Sequence, residues 1–210
     1  MSKSSIIIFT ITLSAISVYT LIGPAEKSLG TNVRVVYLHG AWIWGAIASY
    51  LAAAITGLFG LSMHRESLQR WSRALGRTGL VFWITSLPIA IWAMQTNWNG
   101  LYLAEPRFRL AVIFAITGLM IQIGLAIADN LTWASITNLA FTIALIWTLR
   151  MTQDVMHPSS PIYQSDARLI QVFFSGLVLL TLLLAWQVAR LWMQIENDHQ
   201  REEARLKTSS

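Results

Sequence analysis

Six long apolar stretches alternate with short polar ones along the chain, at approximately 6–23, 38–62, 77–95, 109–128, 131–149 and 169–190. Each comes close to or exceeds the roughly 20 residues that a helix needs to cross a hydrocarbon core about 30 Å thick. The pattern therefore predicts six transmembrane helices. Helices are expected because every backbone N–H and C=O in lipid has to be satisfied internally, which a helix achieves within its own segment. The first stretch, SIIIFTITLSAISVYTLIG, follows Lys3 in the manner of a secretory signal. Its apolar run is longer than the roughly 7–15 residues of a signal core, and no small-x-small cleavage pattern follows, so it reads as a span.

Polar and small residues inside the stretches refine this picture. Gly45, Ser49, Ala53 and Gly57 recur every fourth residue in the second stretch. Such a stripe of small side chains lets a neighbouring helix approach closely in lipid, which predicts a central position for this helix. Asp129 and Asn130 alone separate the fourth and fifth stretches, so these two form a tight antiparallel hairpin. Gln122 and Asn138 lie nearly equidistant from that turn and are expected to meet at one depth, where each amide satisfies the other as structural glue. Pro88 removes one backbone hydrogen bond from the third helix and predicts a bend there.

Composition agrees with the pattern. The 210 residues are 55% hydrophobic and only 12% charged, with a mean hydropathy of +0.54, far too apolar for an ordinary soluble domain. The fold class is an all-α integral membrane protein of six transmembrane helices, with one domain over 1–195 and a charged cytoplasmic tail over 196–210. The net charge of +5 does not mark a nucleic-acid binder, because the basic residues form no dense stripe. They bear on orientation instead. Arg65, Arg70, Arg73 and Arg77 crowd the segment between the second and third stretches, which the positive-inside rule places in the cytoplasm as a loop. An even number of spans then puts both termini in the cytoplasm. The tail beyond Met193 reads as a solvated helix extension with no anchoring role. Cysteine is absent, which excludes disulfides, zinc thiolates and covalent haem attachment.

Candidate chemistry rests on four histidines, His39, His64, His157 and His199. His39 and His64 are separated by about 37 Å of helix and fall on opposite sides of the membrane. His64 and His199 sit in charged surroundings that suit a solvated surface. His39 and His157 share the outer face. His39 stands at the mouth of the second helix beside Gly40, which allows a backbone turn or the approach of a planar ligand. His157 is fenced by Pro158 and Pro161, which hold it in an extended, stiffened segment. Two such imidazoles can ligate a metal, relay protons or cap helices. The loop QTNWNGLYLAEPRFR adds Trp98 and Tyr102 as flat apolar surfaces, Arg107 and Arg109 as anion partners, and Glu105, an ion-pair candidate for Arg107. A large planar molecule with carboxylates and two imidazole ligands would use all of them, and haem is such a molecule. Met156 is an alternative axial ligand.

These residues resemble the haem-handling cytochrome c assembly proteins, closest to the membrane haem-exporter component of bacterial cytochrome c maturation. RVVYLHGAW is similar to the family's RIIYIHVPAAW through Arg34, Tyr37, His39 and Trp44, with Ala41 where the family has proline. WNGLYLAEPRFRL is similar to WGTWWVWDARLT, which brings Trp98, Tyr102, Glu105 and Arg107 onto Trp, Trp, Asp and Arg, while Leu101 and Ala104 replace two aromatics. IWTLRMTQDVMHPSSPI resembles the region that carries the family's second haem histidine and brings His157 onto it.

The resemblance implies non-covalent, transient haem ligation by His39 and His157 above an aromatic platform, in a multi-pass protein of the inner or plasma membrane. It also implies transfer to a haem acceptor or to other cytochrome c assembly subunits. No hydrolytic or nucleotide-binding motif accompanies it. Two other readings stay open: a membrane b-type cytochrome with a second site at His64 and His199, and a haem-free transporter or assembly subunit.

Overall fold

The structure is a computed structural model and describes residues 3–153, 162–163 and 166–209. Its helices are α1 (Lys3–Leu21), α2 (Val33–Ser62), α3 (Glu66–Trp98), α4 (Pro106–Ala128), α5 (Leu131–Met151) and α6 (Arg168–Ser209). All six are long and apolar enough to cross a membrane.

Several helices outrun their apolar stretches. The arginine-rich segment expected as a loop is instead the first turns of α3. Leu68, Trp71 and Leu75 repeat there at helical spacing, so the segment has one face to bury, and Gln69, Ser72 and Arg73 are buried with it. The turn that precedes it spans only residues 63–65. It closes α2 with Met63 N donating to Phe59 O (2.9 Å), Arg65 N to Gly60 O (2.9 Å), and His64 in the left-handed region at φ 53°. Pro88 lies inside the continuous helix α3.

The α4–α5 hairpin is as tight as its two-residue connection predicts. Asp129 ends α4 in the left-handed region at φ 40°, and Asn130 Oδ1 accepts from Trp133 N (3.0 Å) to open α5.

α2 and α3 form the centre, and α1 and α4 lie at the periphery. α2 meets α3, α5 and α6. Its glycines explain the close approach. A Cβ on Gly45 would stand 3.0 Å from Thr181 and 3.1 Å from Phe82, and one on Gly57 would stand 2.8 Å from Ser72 Oγ.

The polar residues of the interior are knotted together. Asn138 Nδ2 donates to Ser72 O (2.9 Å) and Ser72 Oγ (3.2 Å), and Ser72 Oγ in turn donates to Ala53 O (2.8 Å). Gln122 Nε2 reaches Asn138 Oδ1 at 3.4 Å, the pairing expected across the hairpin.

At the end where the α2–α3 and α4–α5 turns lie, Arg73 is buried between two acids. It donates to Glu196 through Nη2 (2.5 Å) and Nε (3.2 Å), and to Asp129 through Nη1 (2.6 Å). Glu196 was expected to be solvated in a tail without anchoring role. It is instead 8% exposed and ties α6 to α3, because the helix continues past the apolar stretch and keeps one face on α3.

Candidate functional site

Hydrogen bonds between helices fix their relative heights. Trp42 Nε1 donates to Thr85 Oγ1 (2.8 Å) and Asn32 Nδ2 to Thr96 O (3.1 Å), so α2 and α3 run antiparallel with Val33 and Trp98 at the same end. Thr142 Oγ1 donates to Tyr50 O (3.1 Å). Met151 lies as far beyond Thr142 as Ala41 lies before Tyr50, so α5 ends at the height of Ala41. Trp83 Nε1 donates to Ala111 O (2.9 Å), and the neighbouring Phe82 packs on Gly45. Pro106 precedes Ala111 as Gly40 precedes Gly45, so α4 begins at the height of Gly40. The tips of α2 and α3 thus project past α4 and α5, by about 10 Å and about 15 Å at helical rise. This step between the tips and the ends of α4 and α5 defines a recess in the outline of those four helices, flanked by the start of α6 and by Tyr163, whose ring lies 5.6 Å from Phe174.

His39 stands on the projecting part of α2, just above the ends of α4 and α5 that form the recess floor, and is half-buried. At about 100° per residue it shares a face, within about 60°, with Ala46, Tyr50, Ala53 and Gly57. That face packs on α3 and α5: the Tyr50 ring lies 5.0 Å from Phe141, and Gly57 abuts Ser72 and Ser135. His39 is therefore turned toward the recess side. Tyr37, its partner in the sequence motif, points about 160° away. Its ring lies 5.6 Å from Phe173 of α6, which gives it a packing role. Gly40 faces neither a turn nor a ligand, since a Cβ there would meet the Phe174 ring at 3.2 Å. Its smallness serves the α2–α6 contact.

Trp98 and Tyr102 touch edge to face, with centroids 6.0 Å apart and planes at 84°. Asn99 turns the chain between them in the left-handed region at φ 52°. Glu105 then opens α4. Its Oε2 accepts from Phe108 N (2.6 Å) and Pro106 occupies the first helical turn, where a missing N–H costs nothing. Glu105 is 7% exposed, and its Oε1 is buried with no hydrogen-bond partner among the described residues.

Arg107 and Arg109, expected together on one anion, diverge by about 160° around α4. Arg107 lies on the side that carries Ala111, Phe114 and Gly118, which pack on α3 and α5. Arg109 is exposed on the far side. Trp44 is also exposed, 41%, on a face turned away from that of His39. His157 and Met156 fall outside the described residues, as does the side chain of His199.

The connection between α1 and α2 borders the recess end and is itself built. Glu26 and Gly30 pair as a short antiparallel bridge, and Arg34 Nε donates to Gly23 O (2.9 Å). The Leu29 and Ser28 amides bond the Glu26 carboxylate at 3.0 and 2.7 Å and hold its carboxyl below the usual glutamate range.

At the opposite end, His64, Glu66, Gln69 and Asp129 line a shallow cleft of about 400 Å³.

Sequence reasoning did not anticipate Arg73 with Glu196, the cap made by Glu105, or the tie between Asn32 and the end of α3. Glu105 had a signal, the Pro106 that follows it at a helix start.

No protein-family model matches the chain. Over 103 residues it is 23% identical to a protein of Marchantia polymorpha named as a mitochondrial ccmC-like protein of cytochrome c biosynthesis. The matched part is 48% of this chain and 45% of that protein, so the chain spans about half the length of the curated relative it matches.

Proposed function

We propose that this chain handles haem in cytochrome c assembly, holding it as a transient cargo in the recess between the α2–α3 tips and the ends of α4 and α5. The observation that carries this reading is the placement of His39, turned toward α3 and α5 at the height where α5 ends. His157 follows Gln153 by four residues, a length of chain that spans no more than about 14 Å. A second imidazole within that reach of the recess floor suits a flat ligand bound from both faces. The Marchantia relative's name, in cytochrome c biosynthesis, points the same way.

The donor set fits haem. Neutral imidazole is an ordinary axial ligand of haem iron, and His39 and His157 would supply it. The Trp98–Tyr102 pair gives the apolar surface that a porphyrin edge buries. Arg107, on the inner side of α4, would take a propionate through charge-assisted hydrogen bonds and set the ring's orientation. Arg109 and Trp44, on outward faces, are left without a part in holding the cargo. A site at the end of the bundle suits a cargo that must leave again, since a site enclosed in its middle would have to unfold locally to release it.

The recess opens on the outer side of the inner or plasma membrane, with both termini cytoplasmic. Nine basic residues lie at the terminal end of the bundle (Lys3, Arg65, Arg70, Arg73, Arg77, Arg190, Arg201, Arg205, Lys207) and six at the recess end (Lys27, Arg34, Arg107, Arg109, Arg150, Arg168), the bias that the positive-inside rule requires. An acceptor of haem, or other assembly subunits, completes the transfer.

The reading is tested in cells deprived of the chain. Covalent haem in c-type cytochromes should fall, and the unaltered chain should restore it where His39→Ala does not. Normal c-type cytochromes without the chain contradict the function. Equal rescue by His39→Ala points to a haem-free assembly role.

A further inference from the structure

The projecting tips of α2 and α3 are clasped at one place. Asn32 Nδ2 donates to Thr96 O (3.1 Å), and Asn97 Nδ2 donates back to Asn32 O (3.3 Å). Asn97 Nδ2 also meets Ala93 O (3.0 Å) and Thr96 Oγ1 (3.0 Å), so acceptors surround that one amide nitrogen. The next residue is Trp98, which ends α3 and touches Tyr102. On α2, two turns below Asn32, stands His39. The next side-chain bond down between the two helices is Trp42 to Thr85, already at the floor of the recess. The clasp therefore lies above the ends of α4 and α5, where α6 supports the α2 tip through Tyr37 and Phe173.

We infer that Asn32 and Asn97 are positioning residues of the recess: they hold the Trp98–Tyr102 pair at a set separation from His39, so that a flat ligand meets the imidazole and the aromatic edge together. This rests on the haem reading above. The two amides touch no part of the ligand themselves. Their effect is exerted beforehand: the α2 tip is packed on α6 through Tyr37 and Phe173, the two amides tie the end of α3 to that tip, and an end that must be ordered by the ligand weakens binding by the entropy of that ordering. Two hydrogen bonds suffice at this spot because they join backbone carbonyls of both helices, which cannot move independently of the tips. The α1–α2 connection also enters the arrangement, since Asn32 stands at its end and Arg34 returns to Gly23.

The test uses the full chain in detergent or lipid nanodiscs. Asn32→Asp/Asn97→Asp is nearly isosteric, replaces both donor nitrogens by oxygens and turns two attractions into repulsions. The absence of cysteine lets spin labels at Lys27→Cys and Leu103→Cys report the separation of the α1–α2 connection and the aromatic loop. The expected result is a narrow distance distribution in the parent, a broadened one in the double variant and an intermediate one in Asn32→Asp alone, which also serves should the double variant fail to fold. Hemin affinity should fall by about tenfold, the scale of losing two modest hydrogen bonds. The absorption maximum of bound hemin should stay unchanged, because His39 is unaltered.

An unaltered distance distribution in a folded variant overturns the clasp. Broadening with unaltered hemin affinity, or a shifted absorption maximum at equal affinity, overturns the positioning role and leaves the haem reading standing. A parent protein that binds no hemin overturns both.

Discussion

Asn138 is 2% exposed at the heart of the bundle and has an amide that lipid cannot solvate, so its neighbours are fitted around it. Ser72 supplies two acceptors, and Gly76 presents no side chain where a Cβ would lie 2.5 Å from Asn138 Oδ1. Gly76→Ala should therefore cost about 1–3 kcal/mol of stability through overpacking, and Asn138→Leu about 1–2 kcal/mol through lost interhelical bonds. Thermal unfolding in detergent checks both, and Gly76→Ala at parental stability would contradict the fitted geometry. At the bundle's rim, Glu26 makes a pH-dependent contribution. Its folded-state carboxyl titrates below the usual range, so its support of the α1–α2 turn is present above the ordinary glutamate pKa and is lost as pH falls through the depressed value. Hydrogen exchange over residues 26–30 should accordingly be faster in Glu26→Gln than in the parent at pH 6, and the two should converge once the pH has fallen below the depressed pKa. Equal protection at pH 6 would remove the role of this carboxylate.

Arg73 shows how far an element can be read from its pattern and where that stops. With Glu196 it forms a pair whose side chains are both 8% exposed, and Asp129 adds a third, exposed member. Removing one partner leaves the other charge buried, so Arg73→Leu and Glu196→Leu should each cost about 3–5 kcal/mol, and the double variant less than either. Thermal melts of the three proteins decide it, and additive losses would show that the pair is not coupled. The existence of α1 to α6, the α4–α5 hairpin and the Gln122–Asn138 contact were legible because hydropathy, loop length and equal distance from a turn are properties of the sequence itself. The burial of Arg73 was not. A charged run between apolar stretches reads as a loop, and only the packing of α6 against α3 supplies Glu196 and makes helix the better state. The same holds for the site. The sequence singles out His39, Trp98 and Tyr102, but it does not reveal that Gly40 belongs to Phe174, that Arg109 turns away, or that Asn32 and Asn97 join the tips, since each depends on helix rotation or height.

At the scale of the whole molecule, unequal helix lengths produce the recess. α3 is 33 residues long and α5 21, so one end of the bundle cannot be flush. The unmatched tips of α2 and α3 place the half-buried His39 above the ends of α4 and α5 and carry the Trp98–Tyr102 pair at the end of α3. Orientation is checked in intact cells with the cysteine-free chain: Lys27→Cys should react with an impermeant thiol reagent from outside and Thr132→Cys only after permeabilisation, and the reverse labelling would invert the proposed topology. The central claim, that imidazoles from α2 and from the segment after α5 meet on one haem, is tested most directly by hemin titration of the purified protein followed by absorption spectroscopy. Two imidazoles on one haem should give a saturable six-coordinate, low-spin spectrum at one hemin per chain, lost or converted to a five-coordinate form in both His39→Ala and His157→Ala. A spectrum that survives both substitutions, or no saturable binding by the unaltered chain, would contradict it.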